Sequence, residues 1–93
     1  MAVELSRRAV RDLRRFDPQD RARTLAGLAR LDHGEPALDA KPLTGHPGWL
    51  ELRVGELRIL YRRQAADPLA LERNWWVERI VHRQNLTAAV RTL

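Results

Sequence analysis

The segment Leu50 to Arg62 reads LELRVGELRILYR and constrains the fold more than any other stretch. Leu50, Leu52 and Val54 alternate with Glu51 and Arg53, and Leu57, Ile59 and Tyr61 alternate with Arg58, Leu60 and Arg62. A period of two is the signature of a strand with one buried face. Gly55-Glu56 between the two runs suits a two-residue turn with glycine first, the type II′ pattern. Such a turn fixes register, setting Val54 against Leu57, Leu52 against Ile59 and Leu50 against Tyr61 on the side that packs on the rest of the protein. On the other side Arg53 faces Arg58, and Glu51 faces Leu60.

Two helices precede this hairpin. Val3-Glu4-Leu5 suits a short first strand, and Ser6 is placed to cap a helix N-terminus. Ala9, Leu13 and Phe16 recur at helical spacing, with Arg7, Arg8, Arg11, Arg14 and Arg15 turned outward as a solvated face or one that meets an acidic partner. Asp17-Pro18-Gln19-Asp20 reads as a stop and a restart, with Asp17 as cap, proline at the first helical position and Asp20 near the positive end of the dipole. Ala22, Leu25, Ala29 and Asp32 form the expected inner stripe of the second helix, with Leu28 and Leu31 beside it, and Gly34 stops it. Residues 35–48 hold three prolines and two glycines and read as a loop. Gln64 to Asn74 reads as a long, mobile polar connection containing Asp67-Pro68. Trp75 to His82 reads as a last strand whose alternation leaves its buried face open, and residues 84–93 as a short terminal helix or a frayed end. The expected fold is α+β: an antiparallel sheet of about four strands on an N-terminal helical hairpin, in the order βααβββ.

At 93 residues the chain is expected to be one domain, 1–93. With 44% hydrophobic and 31% charged residues it has an ordinary globular composition. It contains no cysteine, which excludes disulfides and thiolate metal sites and suits the cytoplasm. Met1 to Leu5 carries an early acid and no apolar stretch of signal-peptide length, so the chain is expected to be mature, and no apolar run would span a bilayer. There is no glycine-rich phosphate loop, no metal-ligand spacing among the three histidines and no nucleophile–histidine–acid arrangement, so no cofactor and no metal is expected. The net charge is +5, and of 17 basic residues only Lys41 is a lysine. GC-rich coding and a need for planar donor forks explain this about equally well. Either way the charge favours a polyanionic or acidic partner.

The opposed arginines are the most informative chemical feature. Like charges directly opposite on a sheet repel, so Glu51, solvent or a bound anion has to offset them. Arg62, Arg79 and Arg83 lie on or near the same sheet, which makes a concave anion site the better reading than two solvated side chains. His82 is either structural or a proton-exchanging group. Glu51 is either a salt-bridge partner of these arginines or a general base. Trp49, Trp75 and Trp76 read as core and rim.

Four pieces, in order, carry a family resemblance: Lys41-Pro42-Leu43-Thr44-Gly45, Leu52-Arg53-Val54-Gly55, Arg58-Ile59-Leu60-Tyr61 and Val81-His82-Arg83. With the succession strand, helical hairpin, strands, they resemble the RelE/ParE superfamily of type II toxin–antitoxin systems. The resemblance implies a cytoplasmic toxin and a cognate antitoxin that covers its basic surface. RelE-like members cleave mRNA on the ribosome without metal, using the RNA's own 2′-hydroxyl, whereas ParE-like members inhibit DNA gyrase; attenuated relatives only bind their antitoxin. By motif, Arg58 matches the arginine that holds the scissile phosphate, Arg53 the basic residue before the turn, and His82 and Arg83 the strand end with phosphate and proton-transfer groups. Lys41 and Arg62 would add phosphate contacts. The chain departs from nucleolytic members where Trp49 and Glu51 stand in place of lysines and Thr87 in place of a tyrosine. Some relatives carry glutamate in an "ELR" hairpin, so Glu51 as base with His82 as acid is one pairing the resemblance allows.

Overall fold

The computed structural model describes residues 3–64 and 74–93. The hairpin forms in the expected register. Strand β3 (Trp49–Val54) pairs antiparallel with β4 (Leu57–Arg63), matching Val54 with Leu57, Arg53 with Arg58, Leu52 with Ile59, Glu51 with Leu60 and Leu50 with Tyr61. Gly55 has φ +57°, while no non-glycine residue among those described has a positive φ, as a type II′ turn requires. The hairpin is the centre of a mixed five-stranded sheet ordered β1-β5-β4-β3-β2. Here β1 is Val3–Leu5, β2 is Ala40–Pro42 and β5 is Trp75–His82. β1 runs parallel to β5, and the other pairs are antiparallel.

The α+β class and the helical hairpin are as expected. The additional strand, β2, lies inside the segment that reads as a loop. All three of its residues are exposed, so it carries no alternation, and Pro42 is tolerated because the strand is an edge. Of the expected connection with Asp67-Pro68, residues 65–73 lie outside the described residues. Its neck is closed by Gln64 N–H donating to Asn74 O at 2.9 Å.

Helix α1 (Arg7–Arg15) starts at Ser6, whose Oγ accepts from Ala9 N–H at 3.0 Å and donates to Glu78 O at 2.7 Å. Helix α2 (Pro18–Asp32) starts at Asp17, which accepts from Asp20 N–H at 2.8 Å, and ends before Gly34 at φ +68°. Its buried face corrects the expected stripe. Thr24, Gly27, Leu28 and Leu31 face inward, Ala22 and Ala29 are exposed, and Leu25 is 51% exposed. Gly27 decides this. A Cβ there would stand 2.8 Å from Val54 Cγ2, so glycine lets the helix settle on β3. A threonine and a glycine at the contact give no hydrophobic signal. Thr24 is accommodated because its hydroxyl donates to Asp20 O at 2.9 Å.

Strand β5 is buried on both sides, and its register slips partway along. Leu60 pairs with Arg79, but Tyr61 pairs with Val77, leaving Glu78 as the extra residue of a bulge. Val77 and Ile80 therefore both join the main core under the helices, with Leu52, Ile59 and Tyr61. Val81 turns to the opposite face, where it joins Leu60 and Ala89. Helix α3 (Leu86–Val90), reached through a 3-10 turn at Arg83–Asn85, covers that second cluster. Among the described residues no helix is long and apolar enough to cross a membrane.

One carboxylate grips the bulge. Asp12 of α1 accepts from Arg79 Nε at 2.8 Å, Arg79 Nη2 at 3.1 Å and Ile80 N–H at 3.0 Å. The pair is largely buried, and the hydrogen bond that Arg79 donates to Asp12 holds the Arg79 pKa above its ordinary value. Removing one partner strands the other. Asp12→Ala is therefore expected to cost about 2–4 kcal/mol in urea unfolding, and Asp12→Asn, which keeps an acceptor for Ile80 N–H, to cost less. Equal stability of Asp12→Ala and the native chain would refute this account of the bulge.

Candidate anion-binding surface

The sheet divides the candidate residues between its two faces, since directly paired residues point to the same side. Arg53 and Arg58 pair with each other, and Val81 lies beyond them. Glu51 and Leu60 pair in the same orientation, with Lys41 of β2 beside Glu51. These residues share the face that α3 partly covers. His82 pairs with Leu57, on the face under α1 and α2.

The arginine pair is separated by two competing attractions. Arg53 Nε donates to Glu51 Oε1 at 3.3 Å. Arg58 Nη1 swings to the turn and donates to Gly55 O at 2.7 Å and Leu57 O at 2.8 Å. The repulsion expected from the register is thus relieved within the chain. A guanidinium has five N–H donors, so each arginine keeps donors for a ligand. Glu51 is buried, its side chain only 4% exposed, and Lys41 Nζ lies 3.7 Å from the same Oε1.

The turn also draws in the end of β5. Arg83 N–H donates to Glu56 O at 2.8 Å, and Arg83 Nε lies 3.0 Å from Glu56 Oε2. Arg53, Arg58 and Arg83 therefore gather at one end of the sheet. Arg62 lies at the other end of β4, its guanidinium 5.6 Å from the centre of the Trp49 ring. Arg79 is withdrawn from the group by Asp12. His82 packs edge-on against Phe16 with ring centres 5.3 Å apart, and its Nε2 lies 3.3 Å from Asp20 Oδ2. Glu51 and His82 stand two strands apart on opposite faces, so the structure does not bring them together as an acid–base pair.

Sequence reasoning passed over Asp12, which reads as one acid among arginines, and the cleft between residues 41–46 and α3. The available signal for that cleft was the spacing of Leu86, Ala89, Val90 and Leu93, which is helical and apolar.

No protein-family model and no curated protein sequence matches the chain. Solved structures do. The RelBE2 toxin–antitoxin complex of Mycobacterium tuberculosis has a chain that superposes with a TM-score of 0.70 at 27% identity, over 87% of this chain and 95% of that one. The chain shares the fold of the RelE superfamily of toxins. The RelB–RelE antitoxin–toxin complex of Methanococcus jannaschii shares the fold at TM-score 0.69 and 18% identity, over 91% of this chain and 95% of that one. The isolated RelE toxin of E. coli does so at 0.65 and 16%, over 98% and 97%. Within this RelE-like fold the gathered arginines differ in their structural burden. Arg53 shields a buried carboxylate, whereas the Arg83 side chain is 66% exposed. Arg53→Ala is expected to cost about 1–3 kcal/mol of stability, and Arg83→Ala roughly 0.5 kcal/mol or less. Thermal unfolding of the two variants side by side checks the contrast.

Proposed function

We propose that the chain is the toxin half of a type II toxin–antitoxin pair and acts as a ribosome-dependent mRNA endoribonuclease. The gathering of Arg53, Arg58 and Arg83 at the hairpin turn supports this reading, because it presents several guanidinium donors to one phosphate. In such cleavage the RNA supplies its own nucleophile. The 2′-hydroxyl attacks the adjacent phosphorus, the bond to the 5′-oxygen breaks, and the proton ends on that oxygen. The protein's main task is to stabilise charge developing on the phosphate, which fixed arginines do well. Arg58 is the central group, held by two turn carbonyls. Arg53 and Arg83 flank it, and Arg62 and Lys41 extend the basic surface along the strand. The partner would be a cognate antitoxin that neutralises this surface, as RelB accompanies RelE in the structurally similar complexes.

Induction of the chain alone in cells, followed by mapping of mRNA 5′ ends, tests the proposal. New cuts within translated messages are expected. Arg58→Ala should lower the cleavage rate by about 10²–10³, the usual cost of one preorganised donor. Intact messages with continuing translation would rule the activity out.

The separation of Glu51 from His82 favours a second reading, a ParE-like inhibitor of DNA gyrase that cleaves nothing. An SOS response with trapped gyrase–DNA complexes on induction would establish it, and unimpaired supercoiling in the presence of excess protein would dismiss it.

A further inference from the structure

We propose that the cleft between residues 41–46 and α3 is a slot for a nucleobase, and that Glu51 at its floor selects guanine. The inference rests on the RNA-binding reading above and adds a substrate preference to it. The cleft lies on the same face as Arg53 and Arg58. Pro42 and Leu43 line it from β2 and the loop that follows, Leu86 and Val90 from α3, and Glu51 from β3. Two apolar walls from separate elements suit a flat ring, which gains by leaving water on both faces.

The floor sets the chemistry. Lys41 and Arg53 both approach Glu51 Oε1, and only the Arg53 contact is a hydrogen bond. Oε2 takes no hydrogen bond among the described residues. Glu51 lines the cleft although its side chain is only 4% exposed, so what the carboxylate shows to its surroundings it shows there. A carboxylate offers about four acceptor sites and no donor, so it still needs N–H groups. Guanine presents two adjacent donors, N1–H and the 2-amino group, matching the two oxygens. Adenine and cytosine each set one amino donor beside a ring-nitrogen acceptor, and uracil sets one N–H between two carbonyls. Those acceptors would face a negative charge.

The position of the slot fits a nucleotide held by its phosphate. Glu51 and Arg53 are two residues apart on one side of β3, roughly 7 Å by strand geometry. A base in the slot therefore leaves its phosphate within reach of Arg53 and, beyond it, Arg58. Lys41 and Arg91 also line the cleft and add positive charge to it.

Titrating the full chain with 5′-GMP, 5′-IMP, 5′-AMP, 5′-CMP and 5′-UMP by calorimetry or NMR tests the slot. GMP should bind roughly tenfold more tightly than AMP, CMP and UMP, about the worth of one charge-assisted hydrogen bond net of hydration. IMP, which lacks the 2-amino group, should lose most of that advantage. Glu51→Gln should bring the GMP-to-AMP ratio within twofold. Thr87→Arg changes an exposed residue of α3 that lines the cleft. Its fork should occupy the carboxylate and abolish the same ratio, whether or not Glu51→Gln folds. GMP and AMP binding within twofold of each other in the native chain would overturn the proposal, as would a preference that survives Thr87→Arg. The titration needs neither ribosome nor cleavage. A chain that cuts mRNA without guanine preference keeps its proposed activity and loses the slot. One that selects GMP but cuts nothing keeps the slot and loses the activity.

Discussion

Everything on the C-terminal side of the sheet depends on the bulge at Glu78 and on the carboxylate that holds it. A regular β5 would bury either Val77 and Val81 or Ile80, because alternation forbids all three from finding apolar surroundings on one side. The inserted residue shifts the phase mid-strand, so Val77 and Ile80 enter the main core while Val81 enters the second. The bulge has its own polar demands, and α1 meets them. Ser6 takes Val77 O and Glu78 O, and Asp12 takes Ile80 N–H and the Arg79 guanidinium. The first helix thus contributes hydrogen bonding as well as an apolar stripe.

This arrangement partitions a crowded set of cations. Sixteen arginines and one lysine in 93 residues would make any single basic site indiscriminate. Asp12 removes Arg79, Glu51 restrains Arg53, and backbone carbonyls restrain Arg58. What remains at the turn is a small group of donors with fixed origins and spare N–H groups. Preorganisation of that kind matters more to a phosphate than total charge, because donors already in place lose little entropy on binding. The same carboxylate that restrains Arg53 also makes the adjoining cleft an acceptor in an otherwise donor-rich surface.

Much of the fold was legible where local chemistry sufficed. The caps at Ser6 and Asp17, the stop at Gly34 and the turn at Gly55 each depend on a residue and its immediate neighbours, and each formed as read. The hairpin register followed from turn length. The elements misread or left open lack a hydrophobic signal or have one out of phase. β2 is wholly exposed, α2 meets the sheet through Thr24 and Gly27, and β5 changes phase at the bulge. Of the candidate site, the opposition of Arg53 and Arg58 was legible, and so was the place of Glu51 beside them.

The sequence by itself determined the hairpin, its register, its apolar face and the facing arginines, because a two-residue turn ties every later pair to a covalent count. Only the tertiary structure decided where those charges point and what they meet. Glu51 and His82, thirty-one positions apart, fall on opposite faces because strand pairing and the bulge set their orientation. Arg83 reaches the hairpin turn because β5 ends beside it. The string LELRVGELRILYR specified two arginines side by side; the folded hairpin gave each a separate partner, Glu51 for Arg53 and the turn carbonyls for Arg58.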